Sequence, residues 1–465
     1  MSKEKAITLL SEVLLSLDGK GINKNYIEII TQEEIPIYCE NKNTGKSRLM
    51  PFKVLYDNHE KFWQQDGNWE YFLTAEGIGK LREKAAAKPG AWENERQKAK
   101  AEAGYGSDYQ VFADMTASEK VAHLNKDKQK LNDLILNKSK DEKAVTKTVV
   151  DTARDAAMIN RAALEEAIRL GNSEAKKLTQ GLVVSTNEIV KSSTLLLTED
   201  IYNNDLMDTL VKKSNGTIVQ HITRVYLNGI AFLEYYNNLV STSNAIKKLR
   251  ISFAFKYRKF YHTLLPHIDI DDIVLERVFY GGMRAVSPEL LHNWAVGFLV
   301  HDIGKAAAVE YHEGEAAYNH NLAIEHVKLG YHSIKDKTNY PMEASLITGY
   351  HHEYYGDPSG YGYYRTYLEK YQKANPYLKQ DYCIAYDLEP VLDFRVLAYF
   401  PAKVLEIIDV YDSITDPNRV YREVLSPEEA LTLMREEFIK KHRKLDAVLF
   451  DIFKEFIHEK HKKQD

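Results

Sequence analysis

The sequence predicts a mainly α-helical protein: a C-terminal all-α domain over residues 182–465, a helical connector over 83–181, and a small α/β unit over 1–82. Three observations carry this. Beyond Leu182, apolar residues recur at the spacing of amphipathic helices, and alternating strand patterns are absent. From Leu81 to about Gly181 the composition shifts to Ala, Lys and Glu, broken at Pro89-Gly90 and around Gly104-Tyr105-Gly106. The first 82 residues combine one helical spacing with two short runs of strand type. A chain of 465 residues exceeds one ordinary domain, so two or three are expected.

Composition narrows the function classes. A formal charge of -5 and a pI near 6.4 argue against a binder of nucleic-acid polymers, which would show a basic stripe. Two cysteines, Cys39 and Cys383, exclude a disulfide framework and a cysteine zinc site, and they suit a reducing cytoplasm. The N-terminus lacks a signal-peptide core, and no apolar run reaches the roughly 18 residues of a membrane span. The expected location is the cytoplasm.

In chain order, Ala6 to Leu17 reads as a helix, with Ile7, Leu10, Val13, Leu14 and Leu17 on one face. Residues 35–39 and 69–73 read as strands, separated by the turn-like stretch 41–45. Nothing in this unit has ligand or nucleophile spacing, and a sensory or interaction role rests on position alone. In the connector, Ser118 to Leu136 and Asp141 to Leu170 should be helical; they could transmit a signal, support a homodimer, or simply pack on the next domain. Later helices are expected at 195–210, 218–236, 247–264, 273–283, 288–305, 322–333, 342–352, 394–413 and 427–441.

The chemistry is concentrated between Leu290 and Gly362. His301-Asp302-Ile303-Gly304-Lys305 follows an apolar helical run, His326 lies further on, and His351-His352-Glu353 closes the stretch. Adjacent helix side chains point about 100° apart, so His301 and Asp302 could approach one metal cluster from two directions. Imidazole and carboxylate suit first-row divalent metals, and a carboxylate can bridge two of them. His221 and Asp409 add an imidazole and a buried-type carboxylate on other helices. A lone histidine is more often structural, and a lone aspartate is usually a cap or an ion pair; the combination supplies ligands for two metals with positions left for water.

The order and surroundings of these residues resemble the HD-GYP branch of the HD phosphohydrolase superfamily, phosphodiesterases of cyclic dinucleotides. His221-Ile222-Thr223-Arg224-Val225 is similar to the family's opening His-Ser-x-Arg-Val, and Leu299 to Lys305 to its Leu-His-Asp-Ile-Gly-Lys. His326 to Gly330 resembles His-Pro-x-x-Gly, and His351-His352-Glu353 with Ser359-Gly360-Tyr361 resembles His-His-Glu leading to the Gly-Tyr-Pro loop. Asp409-Val410-Tyr411-Asp412 and Arg419 to Arg422 resemble the Asp-Val-x-Asp segment and its basic continuation. The resemblance implies metal ligation by His221, His301, Asp302, His326, His351, His352 and Asp409, with Asp302 bridging two ions, iron or manganese. It implies that Lys305 holds the scissile phosphate, that Arg419 and Arg422 bind substrate phosphates or guanine, and that Tyr361 shapes the cleft. The implied reaction is hydrolysis of cyclic di-GMP to pGpG or GMP by a metal-activated hydroxide, under control of the N-terminal region through a ligand or protein partner.

Some positions depart from that pattern. Thr217 stands where three-metal members carry a Glu, which argues against a third metal. Gly360-Tyr361-Gly362 lacks the family's proline, and segments 237–289 and 363–393 are additional; the second, rich in tyrosine, suggests a lid or specificity loop. These departures keep open an HD hydrolase of another cyclic dinucleotide or nucleotide. A non-catalytic cyclic di-GMP receptor and a structural metal site remain the rivals from other classes.

Overall fold

The computed structural model describes residues 6–9, 30, 33–41, 44, 46–51, 69–74, 77, 80, 106–139, 141–168, 170–198, 218–242, 244–307, 320–357, 360–416 and 424–462. Two compact units are present, one of residues 1–103 with 307–325, the other of 104–306 with 326–465. The described residues are mainly helical.

The smaller unit holds a four-stranded antiparallel sheet of β1 (Ala6–Leu9), β2 (Pro36–Asn41), β3 (Ser47–Pro51) and β4 (Trp69–Thr74), in the order β1-β4-β2-β3. In the central pair Ile37 faces Leu73 and Cys39 faces Tyr71, and Ile37, Cys39 and Leu73 are fully buried. Pro36 opens its strand, where its missing N–H costs no interior ladder bond. The helix expected over 6–17 is corrected at its start: Ala6–Leu9 is a strand paired to β4, and residues 10–17 lie outside the described set. Thr8 and Leu9 complete a sheet edge there, and tertiary pairing overrides a four-residue local spacing.

The larger unit begins with α1 (Gly106–Asp114), α2 (Ala117–Leu136), α3 (Glu142–Ala167) and α4 (Asn172–Thr198). Thr116 and Glu119 close a capping box on α2, each accepting from the other's backbone N–H. The boundary expected at 182 falls inside the continuous helix α4, and α2, α3 and α4 pack on one another. Helices α3 and α4 also pack on the helices that follow, so residues 106–198 share one hydrophobic core with the rest of this unit rather than forming a separate connector. Buried Leu124, Leu131, Val149, Ile159 and Ile189 provide that seam. Of the helix expected at 195–210, residues 195–198 end α4 and 199–210 lie outside the described set.

Next come α5 (Ile218–Thr242), α6 (Ala245–Lys256) and α7 (Arg258–Leu264), the last two divided at Tyr257 where a single helix was expected. Over 273–283 only Leu275–Val278 is helical; Phe279 then bridges Ile384, and Gly281 and Gly282 turn with positive φ. Helices α8 (Pro288–Val300), α9 (His320–Lys337), α10 (Met342–Tyr350), α11 (Tyr364–Ala374), α12 (Phe400–Thr415), α13 (Pro427–Leu433) and α14 (Ala447–Lys462) complete the unit. The helix expected at 427–441 changes to a π-helix over Met434–Lys441.

This half is not all-α. Strands β5 (Tyr382–Ala385) and β6 (Val396–Tyr399) pair in parallel, so the helix expected to start at 394 begins at Phe400. Buried on both faces, such strands are continuously apolar and show no alternation. Within the tyrosine-rich segment 363–393, Tyr364, Cys383 and Tyr386 anchor in the core, with Tyr386 stacked on Phe400 at 4.1 Å, while residues 365–379 stay partly or fully exposed.

Candidate metal centre

Helix α8 carries His301 and Asp302 past its end. The helix is apolar throughout its second half, with Trp294 to Val300 buried, which fixes its C-terminus deep in the core. The expected single helix 288–305 breaks into a tight turn, with Ile303 N–H donating to Val300 O and Lys305 N–H to Asp302 O. Gly304 permits this: a Cβ there would sit 1.9 Å from the carbonyl oxygen of His326 on α9. The close approach sets His326 beside Asp302, at 3.3 Å from Nε2 to Oδ1.

All seven expected ligands, His221, His301, Asp302, His326, His351, His352 and Asp409, are buried and meet in one cluster. Asp302 Oδ2 lies 3.5 Å from His221 Nε2, and His221 Nε2 lies 3.0 Å from Asp409 Oδ1. His326 Nε2 and His351 Nε2 are 3.5 Å apart, and His352 Nε2 is 3.7 Å from Asp409 Oδ2. Three overlapping trios have ligand atoms within 4.8 Å of one another: His326, His351 and His352; His221, His301 and Asp409; His301, Asp302 and His351.

The backs of the rings are fixed. Nδ1 of His301 hydrogen-bonds Phe298 O at 2.8 Å, and Nδ1 of His351 hydrogen-bonds Thr348 O at 2.8 Å. With that proton on Nδ1, each Nε2 presents a lone pair to the cluster. His221 Nδ1 meets Asp412 Oδ2 at 2.7 Å, and Arg224, one turn along α5, grips the same carboxylate at 2.7 and 2.9 Å and reaches Asp416 at 2.7 Å. The His221/Arg224 spacing on α5 thus matches the Asp409/Asp412 spacing on α12.

The residues fit divalent metals. Nε2 of His301 is buried without a hydrogen bond among the described residues, and two imidazole nitrogens face each other at the His326/His351 contact. Burial holds His301 below its usual pKa, His351 well below, and His352 down to about 4, so these rings are neutral donors near pH 7. Burial alone would raise Asp302 and Asp409; Lys305 and the histidines around Asp302, and His221 against Asp409, outweigh it and hold both carboxyls well below the usual range. His221 differs: burial opposes its charge, but bonds to Asp409 and Asp412 prevail and raise its pKa to about 9. A cation bound at Nε2 must displace that proton. Apparent manganese affinity, measured by calorimetry at several pH values, is therefore expected to rise roughly tenfold per pH unit up to about 9.

Lys305 Nζ donates to Asp302 Oδ2 at 2.6 Å, at the edge of the cluster. Tyr361 lies with its ring 4.4 Å from the His352 ring, and its N–H donates to His352 O. Arg419, Arg422 and Thr217 lie outside the described residues.

The sequence reading passed over what holds the Tyr361 segment. Glu353 turns from the cluster to Arg365, whose Nη2 donates to Glu353 O at 3.0 Å and Asp357 O at 2.8 Å. Burial raises Glu353 to about 8 despite the guanidinium. Tyr354 and Tyr355 both have positive φ, a region costly for bulky side chains; Glu406 accepts from Tyr354 N–H at 3.0 Å and Asp446 from the Tyr355 hydroxyl at 2.7 Å. Arg365→Leu should remove these carbonyl bonds and cost about 2–3 kcal/mol by urea unfolding, since charge-assisted bonds to buried groups are lost. An unchanged midpoint would show that the clasp carries no stability.

A further trio, His123, Asp127 and Asp155, lies between α2 and α3. It has its own countercharges, Lys130 at 2.6 Å from Asp127 and Arg154 at 3.6 Å from Asp155, and reads as an ion-pair network. No protein-family model, curated protein or solved structure matches this chain. No helix among the described residues is long and apolar enough to cross a membrane.

Proposed function

We propose that this chain is a metal-dependent phosphodiesterase of the HD-GYP type, hydrolysing cyclic di-GMP to pGpG or onward to GMP. The observation that carries the reading is the convergence of seven residues from five separated sequence segments on one buried cluster, with Lys305 bonded to the central carboxylate. His221, His301, Asp302, His326, His351, His352 and Asp409 would hold two divalent ions, iron or manganese. Such ions supply Lewis acidity and lower the pKa of a water to near neutrality.

The chain's own residues supply the rest. Phe298 O, Thr348 O and Asp412 fix the ring orientations of His301, His351 and His221, so little reorganisation is needed on loading. Lys305 sets a positive charge beside Asp302, suited to the charge that grows on a phosphoryl oxygen. Tyr361, against His352, would wall the cleft where a base or ribose lies. The excess of ligands over a single tetrahedral set disfavours a purely structural site.

The test is hydrolysis of cyclic di-GMP by anaerobically purified protein loaded with iron or manganese, beside His301→Ala, with products separated by chromatography. Turnover in the wild type that vanishes in the variant supports the assignment. A loaded wild-type protein that leaves cyclic di-GMP intact overturns it.

A further inference from the structure

Outside the metal cluster, the larger unit carries a groove of about 1150 Å³, lined by α6, α7, the π-helix and α14. We propose that it binds a multiply phosphorylated anion of nucleotide size. Six lysines and arginines line it against two carboxylates, in a chain whose net charge is -5. One carboxylate, Asp451, is already held by the Tyr257 hydroxyl at 2.6 Å and by Arg435 at 2.5 Å. Lys256, Lys259, Arg443 and Lys454 have no ion pair among the described residues. These four cations share one concavity with Glu455 as the remaining carboxylate, leaving an excess of positive charge that a bound polyanion neutralises.

Shape and lining specify the ligand further. The cations come from α6, α7, the π-helix, the segment that follows it and α14, arranged around one hollow rather than forming a stripe along a face as a nucleic-acid binder requires. At about 1150 Å³ the open groove is at the upper end of small-molecule sites and has room for a nucleotide. Phe260 and Ile439 provide apolar wall for a base, and the Arg443 guanidinium suits bidentate phosphate recognition. Arg435, Ile439 and Lys440 come from the π-helix, an irregularity that recurs at functional sites.

The groove also touches the segment that carries Tyr361. Phe260 packs edge-on to Tyr355 with centroids 6.5 Å apart. Arg443 is flanked by His442, 3.5 Å from Asp357, and by Lys444 over the Tyr354 ring. A ligand drawn onto Phe260 and Arg443 therefore acts on residues 354–357; its effect on catalysis, unlike its binding, rests on the proposed phosphodiesterase.

Calorimetric titration of the full chain in EDTA, with ATP and with GTP, tests the binding. One saturable site is expected, weakened at least about tenfold in Lys259→Glu/Arg443→Glu and within twofold of wild type in Lys247→Glu/Lys248→Glu, exposed lysines outside the groove. Absence of a saturable site for either nucleotide, or equal losses in the two double variants, overturns the proposal. EDTA keeps the metal centre from contributing, so this outcome is independent of the cyclic di-GMP assay.

Discussion

If the chain is the proposed phosphodiesterase, Asp302→Asn is expected to reduce its metal-dependent turnover by more than about 10³-fold and to lower bound metal in proportion. The substitution keeps the side-chain shape but removes the negative charge that faces Lys305 at 2.6 Å, His326 at 3.3 Å and His221 at 3.5 Å. An amide there also turns an NH₂ toward one of these donors, so cationic neighbours lose their counterion and gain a competing donor. Elemental analysis and single-turnover kinetics on the same preparation separate loading from chemistry. A variant that retains full metal content and turnover would show that Asp302 is not central to the cluster.

Gly304→Ala should be the most damaging glycine-to-alanine change among the described residues. Its Cβ would fall 1.9 Å from His326 O and 2.6 Å from Gly330 N, both backbone atoms that cannot rotate aside. Either the 301–303 turn opens or α9 moves away, and both separate His326 from Asp302. A loss of about 3–5 kcal/mol in unfolding free energy and a collapse of manganese affinity are expected together. Normal stability with normal affinity would mean that the turn and α9 can part without cost. Alanine at Gly171, where a Cβ meets only Glu174 Oε2 at 3.8 Å, is the control for helix-end glycine replacement in general.

The cluster was legible in the sequence because His301-Asp302 and His351-His352 stand out by type and adjacency, while His221, His326 and Asp409 gained weight only in combination and through the family resemblance, which supplied the ligand assignment. Their support was less visible. Arg365 is a solitary arginine beyond a glycine-rich loop, and Glu353 reads as part of the histidine motif although its carboxylate faces the other way. The reciprocal spacing of His221/Arg224 and Asp409/Asp412 was in plain view, but pairing the two helices needed the fold. Helix existence was clear from periodicity over long stretches such as 218–242, whereas β5 and β6 escaped it, being short, parallel and apolar on both faces. Composition left the connector open between signalling, dimer support and packing on the next domain, and buried Val149 and Ile159 join it to the common core.

His221 and its partner Asp412 are 191 residues apart in sequence. At the ribosome, roughly 5–20 residues are added per second, so about 10–40 s separate the synthesis of the first ligand helix from that of the helix that locks it. As they emerge in turn, His221, His301, His326, His351 and His352 lack the carboxylates of α12. A nascent chain therefore offers a histidine-rich, carboxylate-poor set of donors that suits softer cations than the finished site does. On the proposed metal-dependent reading, a cation met before Asp409 emerges sees imidazoles and Asp302 alone, so expression in a copper- or zinc-rich medium favours early loading with a softer ion than the finished set of ligands selects.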